Sequence, residues 1–146
     1  MALHEVFESM IAEASASFGF SGFSCDPDGI TAALGIPPDD LMRKGQERTV
    51  GARGRIIANP LNSWSISSSG NSKDVNDHLR ELLERLAGKH SLLDPAFGEP
   101  CFGIMWKASF LQQGTGPYYE PDVLHGIALL GATLYQELIA VDESEC

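Results

Sequence analysis

A chain of 146 residues and 15.7 kDa with 43% apolar residues is the size of one domain and carries enough apolar surface for a packed core. Twenty acids against ten bases give a net charge of −10, which excludes a general nucleic-acid binder, because duplex affinity comes from Lys and Arg on phosphates, and argues against docking on anionic lipid. Disorder is excluded as well, since two Trp, seven Phe and three Tyr need burial.

Leu3, Val6, Phe7, Met10 and Ile11 recur at helical spacing with Glu5, Glu8 and Glu13 off the stripe, so residues 1–13 read as an amphipathic helix or a strand extension. That stretch has no Lys or Arg, unlike a secretory signal, and no run approaches the roughly 20 apolar residues of a membrane span. A cytoplasmic location is the expectation. From Ala14 the period becomes two: Ala14, Ala16, Phe18 and Phe20 alternate with Ser15, Ser17, Gly19 and Ser21, the pattern of a half-buried strand. Asp26-Pro27-Asp28 opens a short helix that Gly35 closes.

Residues 36–62 read as a long connection with a short strand at 55–58, and such a length usually has a purpose. Trp64 and Ile66 share one face of a strand at 63–67. Val75, Leu79, Leu82, Leu83 and Leu86 form the apolar stripe of a helix over 72–87, with a mixed-charge outer face. A strand at 101–110 alternates Phe102, Ile104, Trp106 and Ala108 with Gly103, Met105 and Lys107. Pro121 opens a helix through Leu130, Gly131 ends it, and a strand at 133–141 precedes an acidic tail at 142–146.

The expected architecture is α+β in one domain spanning 1–146: a two-layer, four-stranded sheet with amphipathic helices on one face, in the order β-α-β-α-β-α-β. The acid-Pro-acid starts at Asp26 and Glu120, each leading to Leu-Gly, raise the prospect of an internal βαβ duplication, although such punctuation is also common at helix ends.

The set Asp26-Pro27-Asp28-Gly29-Ile30-Thr31, Leu34-Gly35-Ile36-Pro37, Arg43-Lys44-Gly45, Ser63-Trp64-Ser65-Ile66-Ser67-Ser68 and His78-Leu79 resembles the bacterial domain-of-unknown-function family 4279 over about residues 14–141. The resemblance implies a small α+β domain and no established activity.

Chemistry-bearing patterns are scarce. The chain has no HExxH, GxSxG, P-loop or GxGxxG, and the spacing of Cys25, Cys101 and Cys146 fits no zinc site or disulfide framework. No cofactor or metal is therefore expected. His4, His78, His90 and His125 have no second His or Cys at i+3 or i+4, and structural roles explain them better than ligation. A Cys25–His125 pair would need the two helix starts to approach each other. The carboxylates of Asp26, Asp28, Glu120 and Asp122 would offer an acid/base pair if they converged, but helix capping accounts for them.

The anomaly lies at 43–55, where Arg43, Lys44, Arg48, Arg53 and Arg55 meet only Glu47. This stretch carries +4 and the rest of the chain −14. A Gly-flanked basic loop can clamp a phosphate or an acidic partner, with Trp64 lining a groove beside it; alternatively its bases neutralise the protein's own acids or a twofold-related copy. The first expectation is a non-enzymatic protein-binding domain, immunity-type or regulatory, whose acidic surface docks on a basic protein partner. The second is a small-anion module built on Arg43, Lys44, Arg48, Arg53, Arg55 and Trp64. The third is a hydrolase or transferase using the acidic helix starts. A homodimer is compatible with all three.

Overall fold

The computed structural model describes residues 11–109 and 116–141. The helical reading of residues 3–10, the end of the 101–110 strand, part of the loop after it, and the tail at 142–146 lie outside the described residues. In chain order the elements are β1 (Ile11–Ser21), α1 (Pro27–Leu34), β2 (Asp40–Met42), β3 (Glu47–Val50), β4 (Arg55–Ala58), β5 (Ser63–Ser67), α2 (Val75–Arg85), β6 (Cys101–Ala108), α3 (Pro121–Leu129) and β7 (Thr133–Ala140), with two single 3-10 turns at His90–Leu92 and Pro95–Phe97 between α2 and β6.

The expected four-stranded sheet is corrected to a mixed five-stranded sheet, ordered β2-β5-β1-β6-β7, with β3 and β4 forming a separate two-stranded ribbon. All neighbours are antiparallel except β6 and β7, which run parallel. Setting the ribbon and the α3–β7 extension aside, β1-α1-β2-β5-α2-β6 with spatial order β2-β5-β1-β6 is the split β-α-β arrangement of ferredoxin-like domains. The two βαβ stretches raised as a possible internal duplication sit differently in the sheet. In the first half the strands flanking α1, β1 and β2, are separated by β5, whereas β6 and β7, flanking α3, are direct neighbours.

β1 begins three residues earlier than its alternation shows. A register shift between Ile11 and Glu13 places Ala12 and Glu13 both outward, so the period of two is broken where the strand starts. From Ala14 onward, the residues read as core do face inward. Phe18, Trp64, Ile66, Leu79, Leu82, Phe102 and Val123 are fully buried and Trp106 nearly so, each worth about 1.5–3 kcal/mol of transfer free energy. Phe18 packs against Phe102 with tilted rings whose centres are 4.8 Å apart, and Phe20 meets Trp64 at 6.2 Å and Phe97 of the second 3-10 turn at 5.7 Å.

Asp26 caps α1 by accepting from the Asp28 N–H at 3.0 Å, and Gly35 ends the helix at φ 66°, a left-handed conformation that suits glycine. Asp74 caps α2 in the same way, two residues inside the start read from the sequence. Buried Asn76 ties the α2 start to the approach to α3, donating to the Tyr118 carbonyl at 3.0 Å and accepting from the Glu120 N–H at 2.8 Å. His78 is buried too: its Nε2–H donates to the Ser72 carbonyl (2.6 Å) and its Nδ1 accepts from the Ser68 hydroxyl (2.8 Å), whose oxygen accepts from the Ala16 N–H (3.0 Å). One ring thus joins β1, the turn after β5, and α2.

All three helices cover the face carrying Phe18, Trp64 and Phe102. The opposite face shows Ser15, Ser17 and Gly19 of β1, Ser63 and Ser65 of β5, and Cys101, Gly103, Met105 and Lys107 of β6, none of them fully buried. Small residues there let neighbouring backbones lie close. A methyl group on Gly19 would overlap the Trp64 carbonyl oxygen and crowd Ser65.

Candidate functional site

The stretch at 36–62 is not structureless. It supplies edge strand β2 and the β3–β4 ribbon, an arm whose strands pack chiefly on each other. The arm is closed at its base by the Gly45 N–H on the Asn59 carbonyl and the Asn59 N–H on the Gln46 carbonyl, both 2.9 Å. Asn59 is buried there, donating its side-chain amide to the Arg43 carbonyl at 3.2 Å while its Oδ1 accepts no hydrogen bond among the described residues. At the tip, Gly51 and Gly54 take left-handed conformations at φ 76° and 67°, turning the chain around Arg53.

The register, Arg48 opposite Ile57 and Val50 opposite Arg55, sets two faces. One carries Arg48, Val50, Arg55 and Ile57, with Arg48 and Arg55 as diagonal neighbours. The other carries Glu47, Thr49, Ile56 and Ala58. Ile56 is 65% exposed, the most exposed large apolar side chain among the described residues. Arg48, Arg53 and Arg55 are exposed and form no ion pair or side-chain hydrogen bond among the described residues.

The other sequence-marked residues are placed differently. Arg43 lies at the foot of the arm and holds both carboxylates of the α1 start, Asp26 at 2.7 Å and Asp28 at 2.8 Å. The Asp28 N–H and the Arg43 guanidinium together keep the Asp26 carboxyl below its ordinary pKa, and the two acids raise that of Arg43. The Lys44 N–H donates to Asn62 Oδ1 at 2.7 Å, and its exposed side chain lines a groove with Phe23, Ser24 and Pro60. Trp64 is fully buried under α1, its indole N–H donating to the Thr31 hydroxyl at 2.9 Å, away from the arm. The structure therefore brings Arg48, Arg53 and Arg55 together on the arm and leaves Arg43 and Trp64 in the body.

The carboxylates raised as an acid/base set are divided between two arginines. Asp26 and Asp28 hold Arg43, whereas Glu120 and Asp122 hold Arg80 of α2 at 2.6 and 3.0 Å. Arg80 depresses the Asp122 pKa and is itself raised by both acids. The Cys25 thiol contacts the Ala96 carbonyl at 3.7 Å, and His125 lies exposed on α3. Ser68 and His78 form a hydroxyl–imidazole pair, but the remaining ring nitrogen and the serine oxygen are both engaged by backbone. Among the described residues no group of three or more His, Cys, Asp or Glu could hold a metal, and no helix is long and apolar enough to cross a membrane.

Other acids serve locally. Asp74 and Asp94 cap helical turns, Glu81 accepts from the Ser69 N–H and hydroxyl, Glu13 pairs with Lys107 at 3.3 Å, and Asp39 accepts from the Ser67 N–H at 2.7 Å. Sequence reasoning placed the basic cluster but missed β2 and β3, which are three and four residues long, and with them the arm. The one available signal was the Gly51–Gly54 turn flanked by residues of high β propensity.

Geometrically this is an α+β domain with a ferredoxin-like core, a sheet open on one face and a cationic β-arm inserted between the second and third core strands. The chain belongs to the family described as domain of unknown function (DUF4279), whose model matches residues 12–138. Neither a curated protein nor a solved structure matches it.

Proposed function

We propose that this is a non-enzymatic protein-binding domain, regulatory or immunity-type in class, and that the arm is its docking element. The observation that carries the reading is the arm's isolation. A two-stranded hairpin is marginal on its own in water, yet this one holds three arginines without an ion-pair partner among the described residues and an exposed Ile56. A partner surface carrying carboxylates would satisfy the guanidinium groups with paired hydrogen bonds, and a shallow apolar pocket would take Ile56 as an anchor. The expected docking of the acidic surface on a basic partner is less favoured, because so many carboxylates already serve as caps or ion-pair partners. Free thiols at Cys25 and Cys101 suit a reducing compartment such as the cytoplasm.

The test is affinity capture from native lysate with the wild-type chain and with R48E/R53E/R55E. A stoichiometric protein held by the wild type, released as ionic strength rises and lost by the variant supports the reading. Recovery of no partner, or one retained equally by the variant, overturns it.

A second reading rests on the diagonal Arg48–Arg55 pair, which could clamp a single phosphate or carboxylate group. It requires a thermal shift with small anions that R48A/R55A abolishes.

A further inference from the structure

β7 forms one border of the sheet, and its eight residues, Thr133–Ala140, contain no Pro, Lys or Gly to blunt the edge. The Thr133 N–H donates to the Pro100 carbonyl and the Val141 N–H to the Ala108 carbonyl, so in a parallel ladder the odd-numbered residues turn their backbone groups toward β6. The N–H and C=O groups of Leu134, Gln136, Leu138 and Ala140 therefore point outward, and among the described residues no strand pairs with them.

Exposed apolar side chains flank this edge. Tyr135 is 63% exposed on the open face, and Leu138 is exposed on the helix face. On α3, Val123 and Ile127 are buried toward the sheet, and Asp122 and Gly126 meet Arg80 and Leu83 of α2. Helical spacing then places Leu124 and Ala128 on the flank opposite α2, above the β7 edge. Leu124 is also exposed.

We infer that two copies of the chain join through this edge, β7 pairing antiparallel with β7 of the second copy to give a continuous ten-stranded sheet. The strand's pattern is self-complementary about Gln136. A twofold axis there sets Gln136 opposite its counterpart and Leu134 opposite Leu138 of the second copy, all with outward-facing backbone groups that bond reciprocally. Thr133 then lies opposite Ile139, both β-branched. Glu137, the strand's one charged residue, lies opposite Tyr135 of the second copy. Shifting the centre to residue 137 would set the two Glu137 carboxylates against each other. The α3 flanks bearing Leu124 and Ala128 meet above the joined edges. Two bodies of charge −10 repel elsewhere, so this charge-poor strip is where they can meet.

Sedimentation equilibrium and amide hydrogen exchange on the full chain test this. The expected result is a dimer that tightens as salt screens the like charges, with the amides of Leu134, Gln136, Leu138 and Ala140 protected in proportion to dimer population. Leu138→Lys, at an exposed position, should weaken the dimer by at least about tenfold with its circular dichroism unchanged. Gln136→Pro should do the same, since it removes an outward-pointing N–H and spares the ladder to β6. R48E/R53E/R55E should leave the dimer intact. A chain still monomeric at about 0.5 mM, a dimer indifferent to Leu138→Lys, a dimer leaving those four amides unprotected, or one lost with the arm charges would each overturn the inference.

Discussion

Charge is handled in opposite ways in the body and in the arm. In the body, Arg43 grips the two carboxylates at the start of α1, and Arg80 grips the two at the start of α3 and joins that helix to α2. On the arm, Arg48, Arg53 and Arg55 have no such partners among the described residues, although Arg48 lies only five residues from Arg43. Equal residue type and nearly equal sequence position thus produce a structural clamp in one place and an unspent cation in the other. The difference is made by the chain's path, since Arg43 lies before the arm departs and the other three lie beyond its base. Net charge alone conceals this division.

The contrast can be broken hardest at the body's tightest backbone approach. Gly19→Ala should cost about 3 kcal/mol or more, because the new methyl overlaps a main-chain oxygen that cannot swing away. Chemical denaturation would show this as a lowered midpoint, and an unchanged midpoint would remove the close approach from the account. Next, His78→Ala should cost about 2–3 kcal/mol, leaving the buried Ser72 carbonyl and Ser68 hydroxyl without their imidazole partner. His78→Asn should recover part of that loss if hydrogen bonding rather than volume dominates.

A smaller effect is expected on acidification. The carboxyls of Asp26 and Asp122 have folded pKa values below their unfolded ones. Their stabilisation is therefore complete above the unfolded value near 3.9 and is lost as pH falls through the folded value. In thermal melts, Arg43→Gln and Arg80→Gln should each lower stability slightly at neutral pH and converge on the wild type as pH falls through the folded value, which flattens the acid limb. Smallest of all, R48E/R53E/R55E should alter folding stability by no more than about 0.5 kcal/mol. A larger loss would mean that the arm's arginines serve the body after all.

Much of the body was legible in the residues. The alternation from Ala14 to Phe20, the stripe of α2 and the Pro and Gly that bound α1 and α3 identified most of the core, and the alternation of β5 put Trp64 on the same face as Ile66. Strand order and direction were not legible, because periodicity tells which face is buried and says nothing of which strand lies alongside. The bulge at Ile11–Glu13 hid the true start of β1, since two consecutive outward residues break the period that marks a strand. β2 was too short and β3 too polar to show one. At the candidate site, clustering of the bases was visible in composition. That Arg43 is withdrawn from the cluster depends on Asp26, which reaches it across 17 residues only once the chain has folded.

The closure at Gly45 and Asn59 has a consequence for how this scaffold can vary. Because the outgoing and returning chains meet at that point, residues 46–58 form a cassette whose two ends are already adjacent. Its sequence and length can change without moving any strand of the main sheet. Replacing the cassette by a short glycine turn should leave a folded five-stranded domain, which circular dichroism and a cooperative thermal melt would show.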